Sequence, residues 1–296
     1  AQSPPSLEAA ATTRAMSDDE LLTMVQEASF RYYWDAAEPN SGMARESQPG
    51  ADHIIATGAS GFGIMAMMVA AERGFITRKQ AVERMLKITA FLQRADRFHG
   101  VWPHFLSGNT GRGIALFQIY DDAADLVETS FLIQGLLAAR GYYTGDDPQE
   151  RELRARITTL WHEVEWDWFR TPANDALYWH WSPNYGYQIA NRLEGWNEAM
   201  ITYQLAIASP THPVPAALYR SGYTREGGVE PYGVTRRFYG IDLDQVYYPP
   251  TETSPGSPGP LFFSHYSYLG YDPRGVRDRT SNYFRSNRNQ SLISQQ

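Results

Sequence analysis

The chain has 296 residues and a mass of 33.5 kDa, enough for one large domain or two ordinary ones with a substantial core. With 43% hydrophobic and 20% charged residues it has the composition of a globular protein. Its net charge of −7 and pI near 5.5 argue against a nucleic-acid backbone or an anionic membrane surface as partner. The absence of cysteine excludes disulfides, thiolate nucleophiles and zinc–sulfur sites, and leaves the redox compartment open. No apolar run approaches the ~20 residues of a membrane-spanning helix; the longest, Gly61 to Ala71, ends in Glu72-Arg73.

In chain order, residues 1–16 read as a polar tail. Its start, Ala1-Gln2-Ser3-Pro4-Pro5, has the character of the stub left when a signal peptide is removed, so a periplasmic or secreted location is expected. Residues 17–296 read as one domain, because no linker divides them and no repeat is visible. Ser17-Asp18-Asp19-Glu20 has capping-box spacing and opens an amphipathic helix to about Asp35. Ala59 to Arg73 is apolar nearly all round and predicts a buried helix ended by Gly74. The glycines of Gly58-Ala59-Ser60-Gly61-Phe62-Gly63 lack the strand and lysine of a phosphate loop, so they predict close helix packing instead. A second capping box, Thr77 to Gln80, opens a helix with Ala81, Met85, Ile88 and Leu92 on one stripe. Asp121 to Tyr143 predicts a long helix with an apolar centre, Phe131 to Ala139. Asp147-Pro148-Gln149-Glu150 supplies an N-cap and a proline at the first helical position of a helix to about Val164. Gly195 to Ala208, Phe262 to Gly270 and Arg277 to Ile293 complete the helical set, and Ala176–Trp181 and Phe238–Tyr248 are the strand candidates. The Pro-, Gly- and Tyr-rich stretch from Ser209 to Pro260 is too long for a simple connection and reads as a structured functional loop.

Helices joined in consecutive pairs by long aromatic loops predict an all-α fold, an α/α toroid with alternating inner and outer helices and at most a few short strands. Six pairs need twelve helices and about eight are predicted, so the ring is expected to be small or incomplete in this chain.

The chemistry-bearing residues cluster. On one helix Asp121, Asp125 and Glu128 would share a face at i, i+4 and i+7, where like charges repel. Crowded carboxylates acquire separated pKa values, as general acid–base catalysis requires. A helix N-cap or a first-turn acid accounts for Asp122 without any such role. Glu198, in Gly195-Trp196-Asn197-Glu198, precedes an apolar run beside a tryptophan, where its pKa should rise. The chain carries eight Trp, 19 Tyr and 13 Phe, and seven of the tryptophans lie between Trp102 and Trp196. Some must fill the core, but runs such as Tyr178-Trp179-His180-Trp181-Ser182-Pro183-Asn184-Tyr185 cannot bury every ring and should also line a groove for a flat, hydroxylated ligand such as a sugar. Trp102-Pro103-His104-Phe105 and Phe262-Phe263-Ser264-His265-Tyr266 are similar. No histidine pair has the helical spacing of metal ligands, so no metal is expected, although the acidic cluster could hold a hard cation such as Ca²⁺. No nucleophile elbow is present, and no cofactor is expected.

These segments, with Ser41 to Glu46, Thr57 to Ile64, Ala95 to His104 and Ser209 to Pro213, resemble the bacterial glycoamylase-like family. That family includes the endo-β-1,2-glucanases of glycoside hydrolase family 144 and the related domain of cyclic β-1,2-glucan synthases. The resemblance runs from about residue 17 to the end. It implies an (α/α)6 toroid, a periplasmic or secreted location and hydrolysis of a glucan, most simply by an inverting endo-β-1,2-glucanase. It also implies that the last helices of the ring are missing here, because family members continue past the segment resembling Asp278 to Ser291. An α-glucan hydrolase of glucoamylase type and a non-catalytic sugar-binding remnant are the alternatives. The implied catalytic residues are Asp121, Asp125, Glu128 and Glu198. From their settings Glu198, in apolar surroundings beside Trp196, is expected to be the general acid, and Asp121, or next Glu128, the base. The candidate substrate-binding residues are Arg45, Trp102, His104, Tyr178, Trp179, His180, Trp181, Tyr185, Trp196, Asn197 and His265. The expected partner is a glucan oligosaccharide or polysaccharide.

Overall fold

A computed structural model describes residues 14–225, 235–245, 256–270 and 272–296. The expected polar tail lies outside these residues as far as position 13, as does much of the Ser209–Pro260 stretch. Helices dominate: α1 (Asp18–Trp34), α2 (Thr57–Glu72), α3 (Arg78–Leu92), α4 (Leu126–Tyr142), α5 (Pro148–His162), α6 (Met200–Ala208), the single turn α7 (Phe262–His265) and α8 (Tyr283–Ser294).

Two layers follow from side-chain pattern. Helices α2, α4 and α6 are apolar on every side, so each needs neighbours all round, and they form an inner row in which α2 packs on α4 and α4 on α6. Helices α1, α3 and α5 carry one apolar stripe and pack outside that row, α1 and α3 against α2, α5 against α4 and α3. This inner–outer alternation is that of an α/α toroid. The inner helices approach to backbone contact. A Cβ on Gly61 would lie 2.2 Å from the Phe131 carbonyl oxygen, and one on Gly135 would lie 2.2 Å from that of Gly61. The glycines near the start of α2 serve close packing in this way.

The outer helices start where their caps are written. Ser17 and Thr77 form complete capping boxes with Glu20 and Gln80, and Asp147 accepts the amides of Gln149 and Glu150 ahead of α5. The inner helices do not start where predicted: α2 begins at Thr57 rather than Ala59, α4 at Leu126 rather than Asp121, and α6 at Met200 rather than Gly195. Neither α2 nor α6 has a side-chain cap on its N-cap residue. Their first amides are taken by distant groups instead. The Thr57 amide donates to the His104 carbonyl (3.0 Å) and the Ile201 amide to the Ser267 hydroxyl (3.1 Å).

Among the described residues there are seven strands of two or three residues. Strands β1 (Ile54–Ala56), β2 (Phe105–Ser107) and β3 (Gly113–Ile114) form an antiparallel sheet in that order, with Ala56 opposite Phe105. Strand β4 (Ala124–Asp125) pairs with β5 (His180–Trp181), placing Asp125 opposite His180. Strands β1, β2, β4 and β5 adjoin the inner helix starts. Strands β6 (Arg236–Phe238) and β7 (Ile241–Leu243) form a hairpin. Two bulky rings expected in the groove are core instead: Trp102 is fully buried with Nε1–H donating to the Leu92 carbonyl (3.2 Å), and Trp196 is buried edge-on to Phe263. Each is the large apolar filler that an inner helix start needs beneath it, so neither ring can stack on a sugar.

Candidate active site

The N-terminal ends of α2, α4 and α6 converge, and the acidic residues sit there. The predicted common helical face for Asp121, Asp125 and Glu128 does not form, because α4 begins only after Asp125. Asp125 is its N-cap: Oδ1 accepts the Glu128 amide (2.9 Å). Its Oδ2 accepts Nδ1–H of His104 and Nε1–H of Trp179, both at 3.1 Å. A carboxylate with three donors is held in place and has little capacity left to take a proton from substrate. Glu128, in the first turn, points at α2, where Oε2 accepts the Gly58 amide (2.9 Å) and Oε1 lies 4.0 Å from Nε2 of His104. A Cβ on Gly58 would stand 2.2 Å from that Oε2, so only glycine leaves room for the carboxylate.

Asp121 lies upstream in a loop, its amide bonded to the Gln118 carbonyl (3.0 Å). The side chain is buried, with Oδ1 3.7 Å from Nε2 of His180 and Oδ2 without a hydrogen-bond partner. Glu198 sits just before α6. Asn197 takes the Ala199 amide (2.9 Å), and the Ser267 hydroxyl donates to the Glu198 carbonyl (2.7 Å), fixing the approach to the helix. The Glu198 carboxyl is within electrostatic reach of both Asp125 and Glu128. The Tyr266 hydroxyl feels Glu128 and Glu198 together. The structure therefore brings Asp121, Asp125, Glu128, Glu198, His104 and His180 into one neighbourhood.

Burial and crowding set the charges. Burial, then the charge of Asp125, pushes Asp121 up to about 6. Burial also raises Glu128, which the His104 cation and the Gly58 amide oppose and the Asp125 and Glu198 charges reinforce. Glu198 is raised by burial first and by Asp125 second. Burial pulls His104 down, but the Asp125 hydrogen bond and the charges of Asp125, Glu128 and Asp121 outweigh it and carry the ring to about 9. Burial lowers His180 in spite of Asp125 and Asp122, so it stays neutral. Near pH 7 the site holds one imidazolium, one neutral imidazole and carboxyl groups with unusually high proton affinity. Among the described residues no group of three or more histidine and carboxylate side chains is arranged to hold a metal ion.

The remaining predicted binding residues divide. Tyr185 is exposed and edge-on to Tyr120 (5.0 Å), and Asn184 beside it donates to Asp122 (2.7 Å). Tyr178 stacks on Tyr187 (4.4 Å), and Trp181 stands edge-on to His99 and Trp168. Arg45 is bound to Asp52 (3.0 Å) and Gln48 (3.1 Å). His265 is a correction: it is exposed and faces Ser291 of α8 (3.4 Å), and its neighbour Tyr266 takes the position beside the carboxylates, because one residue along a helical turn rotates a side chain to another face.

Sequence reading missed the Gly58 amide and an apolar segment, Leu116 to Tyr120, and took His265 rather than Tyr266 from the run Phe262 to Tyr266. Phe117 in that segment is 68% exposed and stands edge-on to His104 (5.0 Å) and Phe105 (5.1 Å). The available signal was an apolar run abutting the acidic cluster outside any helical period.

Residues 190–296 match the family model Glycoamylase, described as "Putative glucoamylase". The chain is 48% identical over 300 residues to the exo beta-1,2-glucooligosaccharide sophorohydrolase (non-reducing end) of Parabacteroides distasonis, covering 96% of this chain and 40% of that protein. Among solved structures, an endo-beta-1,2-glucanase from Chitinophaga pinensis in complex with sophorotriose and glucose superposes with a TM-score of 0.86 at 45% identity, covering 94% of this chain and 66% of that one. A protein of Bacteroides fragilis described as a putative glucoamylase does so with a TM-score of 0.86 at 43% identity, covering 96% and 67%. The chain belongs to the glycoamylase-like family. It spans 40% of the length of its curated relative and about two thirds of these solved family members.

Proposed function

We propose that this protein is a glycoside hydrolase acting on β-1,2-glucan by an inverting acid–base mechanism. The observation that carries the reading is a division of labour among the clustered carboxyl groups: one saturated with donors, Asp125, and others, Asp121 and Glu198, whose proton affinity burial has raised. A glycosidic bond needs a protonated carboxylic acid on its leaving oxygen and an ionised carboxylate for the attacking water. Glu198, raised by burial, is the acid. Asp121, ionised above about pH 6 and free of hydrogen bonds at Oδ2, is the base. Water loses a proton to Asp121 and attacks the anomeric carbon, the glycosidic C–O bond breaks, and the Glu198 proton goes to the departing oxygen. Inversion leaves room for that water, so the acid and base carboxyls should be ~6.5–9.5 Å apart in the substrate complex, against ~5–5.5 Å for a retaining pair. His104, protonated, holds the geometry of Asp125 and Glu128. Trp179, Tyr178, Tyr185 and Phe117 supply ring faces for the sugars.

The names of the P. distasonis and C. pinensis relatives both specify the β-1,2 linkage, which supports it over an α-glucan. A reducing-end assay across β-1,2-, β-1,3- and α-1,4-glucans tests this: turnover confined to the β-1,2 polymer is expected, with the first product the α-anomer by NMR. Turnover of α-1,4-glucan alone would establish the glucoamylase alternative, and binding without new reducing ends would make the chain a sugar-binding module. A periplasmic or secreted location goes with this reading, and cell fractionation checks it.

A further inference from the structure

We propose that His180 is a positioning residue for the base: its imidazole and the Asp121 carboxylate together grip the oxygen that attacks the anomeric carbon. The inference rests on the hydrolase reading above and deepens it.

Two histidine–carboxylate pairs stand in the site and are built differently. His104 and Asp125 are in direct contact, and Asp125 is further tied to Trp179 and the Glu128 amide. His180 and Asp121 are not tied. His180 is 3% exposed, yet neither ring nitrogen has a hydrogen-bond partner, and Asp121, 8% exposed, leaves Oδ2 equally bare. Two unsatisfied polar groups in one buried corner carry a desolvation cost that a fold removes unless the groups are kept for something that arrives. Their separation narrows what that is. At 3.7 Å, Nε2 and Oδ1 are too far apart to bond directly, but a single oxygen seated beside both can receive an N–H from one and give a proton to the other.

The surroundings fix the protonation states that such a grip needs. Asp125 lies opposite His180 on β5, Asp122 flanks Asp121 in the loop, and the His104 cation stands on the approach to β2. Burial keeps His180 neutral among them. A neutral imidazole with its proton on Nε2 donates to one lone pair of water, one water proton points to Asp121, and the second lone pair faces the sugar. The proton taken from water ends on Asp121 and that given to the leaving oxygen comes from Glu198, so His180 gains and loses nothing.

The test is a double-mutant cycle on the full chain with β-1,2-glucan, comparing wild type, His180→Ala, His180→Gln, Asp121→Asn and the Asp121→Asn/His180→Ala pair, with melting temperatures measured alongside. His180→Ala is expected to lower kcat ~10²-fold with little change in KM. Glutamine, whose amide reaches the place of Nε2, is expected to recover at least about tenfold of that loss. In the Asp121→Asn background the alanine change should cost less than about threefold, because the oxygen it positions no longer meets a base. Additive losses, a defect confined to KM, or a glutamine variant no better than alanine would overturn the assignment while the hydrolase reading stands. A wild type that releases no reducing ends from any glucan would overturn both.

Discussion

The two layers of this molecule begin their helices by opposite means. In the outer layer, α1, α3 and α5 are closed by side chains one to three residues away, Ser17, Thr77 and Asp147. In the inner layer the first amides of α2 and α6 go to groups far along the chain, the His104 carbonyl, the Glu128 carboxylate and the Ser267 hydroxyl. Only α4 has a local cap, and that cap, Asp125, is also the anchor of His104 and Trp179. The outer starts serve stability alone. The inner starts gather the positive ends of three helices around one space and leave acidic side chains to meet them. The lesson is that two of the three helix starts that meet the buried carboxylates are satisfied by groups far along the chain rather than by local caps.

Substitutions on each side test that contrast. The largest effect is expected at the inner face: Glu198→Gln should lower kcat on β-1,2-glucan by ~10³-fold or more while KM and melting temperature stay near wild type. Near-normal turnover in this variant would remove Glu198 from the mechanism. Asp121→Asn should lower kcat ~10²–10⁴-fold and at the same time stabilise the fold. The sign follows from linkage: folding raises the Asp121 pKa from 3.8 to about 6, so its ionisation costs stability as pH rises through that window. Denaturant titrations should show the asparagine variant ~1–3 kcal/mol more stable at pH 8, with the difference closing as pH falls below 3.8. The wild-type kcat should correspondingly fall as pH drops through about 6. Third, Gly61→Ala should cost ~2–3 kcal/mol by driving α2 off α4, whereas Gly74→Ala, at φ +74° with open space around it, should cost ~1 kcal/mol. Equal costs would mean that the inner crossing is looser than described. The smallest effect belongs to the outer layer: Thr77→Ala should cost ~1 kcal/mol and leave kcat and KM untouched.

The same contrast explains what could be read from the sequence. Ser17, Thr77 and Asp147 declare their helices because the whole cap lies within four residues. Asp121 to Tyr143 reads as one helix because its apolar centre is periodic, but the Asp125 side chain takes the Glu128 amide and β4 pairs with β5, and these contacts start α4 at Leu126, five residues after Asp121. Neither contact is visible without knowing that residue 180 returns to residue 125. The membership of the acidic cluster was legible as composition, and Glu198 entered it through family resemblance. The aromatic residues were legible only as a class: Trp102 and Trp196 went to the core, while Phe117, which was not singled out, and Tyr266, named only within a run, stand by the carboxylates. Which ring is buried depends on which face each loop presents, and no short-range pattern specifies that.

The backbone contact between Gly61 and the Phe131–Gly135 turn has a mechanical consequence. Where two helices touch through main-chain atoms, no rotamer can relax the spacing, so α2 and α4 behave as one strut that carries Gly58 and Glu128 at a set gauge. Glu198 is mounted elsewhere, on a short approach pinned by the Asn197 amide oxygen and the Ser267 hydroxyl. The place of Glu128 against Gly58 is thus set by main-chain contact between two helices, and that of Glu198 by separate hydrogen bonds that a single side-chain substitution can remove.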